Sequence, residues 1–523
     1  MRLRRFLRVA VCGLAVILMS GCASVRLDVP VVPSQAIADG ANTTLGRAFA
    51  EQSSRHPDLS GFQVLAPGQA AFVARATLVD LAERTLDLQY YSVSDDLTTD
   101  LLLSRIVAAA ERGVRVRILL DDIYAPTRVF ARRALAAHPR IQVRLFNPFL
   151  SRGTSSWARL GEFVFDSERL NRRMHNKLWV ADNAAAIVGS RNLGDEYFGA
   201  DEASNFSDVD LLAAGPIVTE LSSAFDTYWN SRVAIPMEAF ADRYNATESA
   251  ITRDALQARV SACVTRRPCE WLTQAGMREA LQSAGVPLSW ARAHLVYDQP
   301  DQEKSSALSG IEHGSIDDRA SGSRTSSELL IVSPYFVPSS DGLLHLREMR
   351  ERGVRVAVLT NSLASTDSPA AHAGYARHRS SLLRHGVELF ELRPQPDVGH
   401  RVSHRWGPGS PASLHAKIVV QDRVHALVGS LNQDPRSRLH NTEVWISLES
   451  AELAAELAAL FEEGTDPHHA FRVERKEVDG VEKLAWKTEQ DGASMRYDLE
   501  PMTNAWLRLW RSLLGVVIPE HML

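Results

Sequence analysis

The chain has 523 residues, 45% of them hydrophobic and 23% charged, with 63 acidic against 58 basic side chains and a formal charge of −5. That composition excludes a chain that is disordered throughout and one drawn to polyanions by its overall field, so nucleic acid is not an expected partner without a local basic groove. It leaves ample apolar material for two packed domains.

At the start, MRLRRFLR carries four arginines and VAVCGLAVILM is apolar for eleven residues. Crossing a hydrocarbon core takes about 20 apolar residues, so residues 1–21 are expected to be a secretory signal, not a spanning helix. The stretch MSGC, with Ser20 and Gly21 ahead of Cys22, resembles a bacterial lipobox. The resemblance implies cleavage before Cys22 and lipidation of that residue. With Ala23 next, it also implies a lipid-anchored protein of the outer membrane facing the periplasm. Losing the leader removes four positive charges and no negative ones, so the mature chain is more acidic still. Residues 22–65 read as a tether.

A first domain is expected over 66–297. Its run LDLQYY looks like a buried strand. In TTDLLLSRIVAAAERGVRVRILLDD, Leu102, Leu103, Ile106 and Val107 suit one helix face, Gly113 suits the helix end, and Val114, Val116 and Ile118 alternate as in a strand. The segment RGTSSWARLGEFVF reads as an irregular loop at the rim of a site or as a plain connector. Helical material around 215–290 forms an insertion whose role the sequence leaves open. Within it, Cys263 and Cys269 are close enough to close a small disulfide loop in an oxidising compartment, with two free buried thiols as the alternative. Without neighbouring ligands they make a poor zinc site.

Residues 298–327, rich in Ser, Gly and charge, read as a linker or long surface loop. A second domain, 328–465, repeats the order of the first: the buried run ELLIVSPYFVP, then LLHLREMRERGVRVAVLTNS as helix and strand. PQPDVGHRVSHRWGPGSPAS is a second irregular segment. Strand, helix and strand in succession predict βαβ units and a largely parallel sheet in each half. The extension 466–523 ends in NAWLRLWRSLLGVVIPEHML, where Trp506, Leu509, Trp510, Leu513 and Leu514 share one helical face. That face is expected either to lie on a membrane or to pack on the protein's own core.

The halves are copies. RGVRV at 112–116 returns at 352–356, and His175, Lys177, Asp182, Gly189, Ser190 and Asn192 match His415, Lys417, Asp422, Gly429, Ser430 and Asn432, all at an offset of 240. LWV and IVV after the lysines favour strands, so in each copy His and Lys, two residues apart, are expected on one face. A protonated lysine has no lone pair, which argues against a metal site. Two imidazoles facing one phosphate from opposite sides would supply a nucleophile and a proton donor for phosphodiester exchange. Lys177, Lys417, Asn192, Asn432, Ser190 and Ser430 are candidates to hold the non-bridging oxygens, so neither metal nor other cofactor is required. A carboxylate should orient each imidazole: Glu443 in NTEVWISL is the candidate for His415, and Asp208 in FSDVDLLAAG, in competition with Asp210, for His175. Asp182 and Asp422, at expected hairpin turns, read as mainly structural members of the motif.

Paired motifs of this form, each followed by G-S-x-N, resemble the phospholipase D superfamily with its two H-K-D motifs. YFVP, TNSLASTDSPAAHAGY and GVELFEL look like its bacterial cardiolipin synthase branch, in the subtype called cardiolipin synthase C. The resemblance implies two tandem phospholipase D-like α/β domains related by pseudo-two-fold duplication around one shared active site. It assigns His175 as the nucleophile, forming a phosphatidyl-histidine, and His415 as the acid and base, a ranking the residues themselves do not give. It also implies phospholipid substrates at a membrane and synthesis of cardiolipin with phosphatidylglycerol as acceptor. The alternatives are a phospholipase D that releases phosphatidic acid and a catalytically silent lipid-binding envelope lipoprotein.

Overall fold

The computed structural model describes residues 29–123, 138–150, 156–243, 254, 256–263, 267–273, 286–301, 325–394, 412–490 and 492–519. The leader, Cys22, most of the expected linker and most of the second irregular segment lie outside the described residues. In chain order the first half contains β1 (Ser60–Leu65), α1 (Gly68–Leu81), β2 (Thr85–Tyr90), α2 (Leu97–Glu111), β3 (Arg115–Asp121), β4 (Ile141–Phe146) and α3 (Ser156–Phe165). It continues through β5 (Leu178–Ala181), β6 (Ala185–Gly189), β7 (Asn205–Ser207), β8 (Asp210–Ala214), α4 (Pro216–Trp229) and β9 (Ala234–Pro236). After β10 (Ser289–Tyr297), the second half contains β11 (Glu328–Val332), α5 (Ser340–Glu351), β12 (Arg355–Asn361), α6 (Pro369–Arg384), β13 (Glu388–Leu392) and β14 (Ala412–Leu414). There follow β15 (Ile418–Gln421), β16 (His425–Gly429), β17 (Val444–Glu449), α7 (Ala451–Gly464), β18 (Ala470–Val478), β19 (Val481–Gln490), β20 (Ala493–Tyr497) and α8 (Ala505–Val517).

The repeated RGVRV marks the same event twice. Asp96 and Ser339 cap the first turns of α2 and α5 by accepting from the Thr99 and Gly342 amides. Gly113 and Gly353 then turn the chain at φ 108° and 88°, a region costly for other residues, and send it into β3 and β12. β2, β3 and β4 run parallel, as do β11, β12 and β13. In each half an antiparallel hairpin completes the sheet, β5–β6 beside β2 and β15–β16 beside β11. The fold class expected from the duplicated βαβ pattern is therefore the one observed, a mixed α/β protein with two phospholipase D-like regions.

Strand β10 joins the halves. β10 pairs with β1 through Ser289–Ala291 and with β17 through Arg292–Tyr297, so β8–β1–β10–β17 is continuous within an 18-stranded sheet. A single hydrophobic cluster likewise takes Ala186, Val188 and Leu211 from the first half and Ala426, Val428 and Ile446 from the second.

Three segments differ from their sequence reading. Within the expected tether, Thr44–Arg55 is a helix that buries Leu45 and Phe49, and β1 is a sheet strand. RGTSSWARLGEFVF is not wholly irregular, because Ser156–Phe165 forms α3. The strands after the two lysines begin only at Leu178 and Ile418, so each His and Lys lies on the chain leading into the strand. In the insertion, Cys263 and Cys269 are disulfide-bonded with a Cα–Cα distance of 6.1 Å. The C-terminal amphipathic helix forms as α8, but none of its residues is buried, so its apolar stripe is not part of the core.

If β10 is the seam, a protease site engineered between residues 302 and 324 should give two fragments that co-elute under native conditions and separate only in denaturant. Fragments that separate on native gel filtration would contradict this.

Candidate active site

The chain before each histidine lies against the opposite half. His175 donates its amide to the Thr442 carbonyl at 2.9 Å, and Thr442 donates back to Arg173 at 2.8 Å. In the second half β14 runs parallel to β7, and the His415 amide donates to the Ser207 carbonyl at 2.9 Å. The residue before each histidine is pinned from within its own half. Asp121 accepts from the Met174 amide at 2.9 Å, while Asn361 bonds both the amide and the carbonyl of Leu414.

That seam sets the carboxylates. One residue beyond Thr442 and Ser207 stand Glu443 and Asp208, so each reaches the histidine of the other half. His175 Nδ1 lies 2.9 Å from Glu443, and His415 Nδ1 lies 2.9 Å from Asp208. This reverses the pairing expected from sequence, where Glu443 was assigned to His415 and Asp208 to His175. Asp210, the competitor of Asp208, is occupied elsewhere by ion pairs with Arg75 at 2.8 Å and Arg191 at 3.3 Å. The Ser430 carbonyl also lies 3.1 Å from His175 Nδ1. Both neighbours of that nitrogen only accept, so the neutral ring carries its hydrogen on Nδ1 and presents the Nε2 lone pair. The same logic places a hydrogen on His415 Nδ1.

The serines do not act as expected. Ser190 Oγ donates to Asp208 and Ser430 Oγ donates to Glu443, so each hydroxyl steadies a carboxylate instead of facing a phosphate. The preceding glycines allow it: a Cβ on Gly189 or Gly429 would stand 2.2 Å from Asp210 Oδ1 or 2.3 Å from the Val444 carbonyl. Asn192 bonds the Ser92 amide and the Tyr197 hydroxyl, whereas Asn432 Oδ1 has no protein partner among the described residues. Asn432 is therefore the better placed of the two to bind a ligand.

Lys177 and Lys417 are buried, and each donates to the carbonyl of its own motif histidine. Asp182 accepts from the Glu83, Arg84 and Thr85 amides, and Asp422 from the Ser326, Ser327 and Glu328 amides, fastening each hairpin turn to the start of its half. Both carboxylates are thus engaged by backbone amides at the turns.

Sequence reasoning missed Asp121 and Asn361, although the offset of 240 aligns them. It also missed the rings beside the imidazoles. Tyr91 meets His175 edge-on at 4.9 Å, and Tyr197 and Phe206 flank His415 at 5.4 and 5.1 Å.

Burial governs the protonation states. It pushes His175 down to about 3 against the opposing pull of Glu443, so this ring is neutral at ordinary pH. His415 is also lowered, by burial and then by Lys417, with Asp208 resisting. Burial alone would raise Asp208, but His415 and Lys417 outweigh it and hold this carboxyl well below the usual range. Burial lowers both lysines, Lys417 to about 8.

Two carboxylate-paired imidazoles and two buried lysines thus stand together where the halves meet. Residues 76–229 and 322–464 match the family described as "Cardiolipin synthase, PLD-like domain". Cardiolipin synthase C of Escherichia coli is 38% identical over 92% of this chain and 99% of its own. An uncharacterized Helicobacter pylori protein is 28% identical over 97% of this chain and 98% of its own. Phosphatidylserine synthase of Haemophilus influenzae shares the fold at a TM-score of 0.53, with 13% identity, covering 82% of this chain and 92% of that one. The chain belongs to the phospholipase D-like cardiolipin synthase family and is a phosphatidyltransferase of the phospholipase D type.

Two measurements test the site. Lys417 is charged below its shifted value of about 8 and neutral above it, so kcat/KM should fall as pH rises through about 8. A profile flat to pH 9.5 would contradict that. Asp422→Ala removes the shared acceptor of three backbone amides, two of them on exposed residues that water can serve, and should cost about 1–2 kcal/mol in urea unfolding. Asp422 is lowered to about 2 by these donors against burial, so its contribution is full above pH 4 and lost as pH falls toward 2.

Proposed function

We propose that the protein synthesises cardiolipin, moving a phosphatidyl group from one glycerophospholipid to the terminal glycerol hydroxyl of phosphatidylglycerol. The observation that carries this reading is the crossed pairing of His175 with Glu443 and His415 with Asp208, which engages both Nδ1 atoms and leaves Nε2 as the reactive nitrogen of each ring. The relation to cardiolipin synthase C supports the choice of product.

In the first step His175 Nε2 attacks phosphorus, forming the P–N bond of a phosphatidyl-histidine as the bond to the departing headgroup oxygen breaks. His415, in its protonated state, gives its Nε2 proton to that oxygen. The attacking ring must be neutral, which fits the strong lowering of His175. The leaving-group acid must be charged, and Asp208 is the group that favours that form of His415, opposing the burial and the Lys417 charge that lower it. In the second step neutral His415 removes the proton of the acceptor hydroxyl, its oxygen attacks phosphorus, and the P–N bond breaks. Lys177 and Lys417, with the side-chain NH2 of Asn432, stabilise the non-bridging oxygens as their charge grows. Lipidation at Cys22 would keep this site at the envelope membrane, and an outer-membrane, periplasm-facing location follows from the lipobox resemblance.

Purified lipidated protein given labelled phosphatidylglycerol in vesicles should yield cardiolipin and free glycerol. Phosphatidic acid as the only product would overturn the transferase reading in favour of a hydrolase. His175→Ala should lower turnover at least 10³-fold; unchanged turnover would remove His175 from the nucleophile's role, and no turnover in the parent chain would favour a silent lipid-binding protein. Glu443→Gln should slow formation of the labelled covalent intermediate by roughly 10²–10⁴-fold, while Asp208→Asn should impair proton transfer in both steps.

A further inference from the structure

We infer that α3 and α8 together form a two-point docking surface for an anionic phospholipid bilayer, one contact from each half, holding the active-site mouth at headgroup level. This rests on the proposed lipid chemistry only for its purpose; the surface itself is read from exposure, charge and position.

On α8, Trp506, Leu509, Trp510, Leu513, Val516 and Val517 recur at helical spacing and are all exposed, Trp506 at 69% and Val516 at 86%. The helix is held by polar contacts. Arg377 on α6 donates to the Gly515 and Ile518 carbonyls, Arg508 to Thr503, and Arg511 pairs with Glu500. On α3, Leu160, Val164 and Phe165 are exposed, Phe165 at 91%. Such aromatic and aliphatic stripes on solvent-facing helices are a poor use of surface unless something covers them.

Position links both stripes to the site. β4 ends at Phe146, and the next residue, Asn147, bonds the Arg169 and Arg172 carbonyls just ahead of His175. α3 is tied to that same stretch, since Glu162 accepts from the Leu150 amide and pairs with Arg169. In the second half Asp367, just before α6, accepts from Tyr335 and acts on Lys417. The end of α8 rests on the first turns of α6, where a Cβ on Gly515 would meet Ala373 at 3.7 Å. Both helices are therefore anchored to segments that lead into the active site, α3 to the stretch after β4 and α8 to α6, which follows β12.

Charge selects the occupant. AWLRLWRSLLGVV contains two arginines and no acidic residue; Arg511 is balanced by Glu500 as Glu162 on α3 is by Arg169, which leaves the Arg508 charge, bonded to Thr503, to set the sign. That combination suits an anionic interface with tryptophans at the headgroup boundary. Thirteen residues of helix span about 20 Å, short of the roughly 30 Å hydrocarbon core, so α8 would lie in the interface plane. No helix among the described residues is long and apolar enough to cross a membrane.

The test uses the full lipidated chain reconstituted in phosphatidylglycerol–phosphatidylcholine vesicles. A fluorophore is placed on Phe165→Cys, Val516→Cys or, as a control at the hairpin end of β15 away from Lys417, Val424→Cys, and compared with the labelled parent chain. Lipids brominated along the acyl chain should quench the probes at 165 and 516 by at least half and spare the probe at 424. Absent quenching at 165 or 516, or equal quenching at all three, overturns the two-point surface. So does energy transfer between differently labelled copies at 165 or 516 without vesicles, which would make a second copy the occupant. Quenching is read without turnover, so a protein that docks as expected but makes no cardiolipin would sink the proposed function alone.

Discussion

The site depends on two imidazole–carboxylate bonds that cross between the halves of a duplicated chain. A buried imidazole without an acceptor for Nδ1 would have neither a fixed tautomer nor a fixed ring plane. Here the acceptor for each comes from the strand start of the other half, Glu443 for His175 and Asp208 for His415. Neither half contains a complete site, so the β10 seam and the shared hydrophobic cluster belong to the chemistry as much as to stability. Each His segment shares backbone hydrogen bonds with the residue just before the opposite carboxylate, which leaves little freedom in the length of the bond between them.

The electrostatics follow from the same packing. Two ammonium groups and two carboxylates are buried around two imidazoles, and burial penalises every charge unless a partner is near. The carboxylates have partners in the histidines and serines. Burial depresses both lysines against the pull of Glu443 and Asp208, and Lys417 also repels Lys177. A phosphodiester anion entering between them would relieve that repulsion. The chain thus places its binding charge at one point and remains acidic overall, which a nucleic-acid surface would not favour.

Much of this was legible in the sequence because duplication makes its own control. The offset of 240 located both histidines, both lysines, Asp182 and Asp422, and the helix–glycine–strand pattern gave the βαβ units. The crossed pairing was not legible. Glu443 follows His415, and Asp208 follows His175, within one half each, and nothing in a linear chain shows that the seam exchanges them. The serines misled for a related reason: G-S-x-N looks like a phosphate loop, but Gly189 and Gly429 bring Ser190 and Ser430 against the strand carrying the carboxylate. Leu45 and Phe49, four residues apart, carried a helical signal in a segment whose polar neighbours suggested a tether. α3 was hidden by Gly161 and the serines ahead of it, and its apolar residues made sense only once they were seen to face solvent.

Duplication also poses a problem that the sequence differences between the copies address. Attack and protonation need one imidazole neutral and the other charged, yet both descend from the same motif. The copies differ where this matters. Asp121 beside the first motif is Asn361 beside the second, so a buried carboxylate near Lys177 is replaced by a neutral amide. In compensation, Asp367 and Asp434 act on Lys417, and burial holds Asp434 up at about 7, so the charge near the second lysine changes with pH in a way the first lacks. His175 faces a carbonyl as well as Glu443 and one tyrosine edge, while His415 has Asp208 and two rings. The backbone supplies two like positions for an imidazole, and these neighbours make the positions unlike.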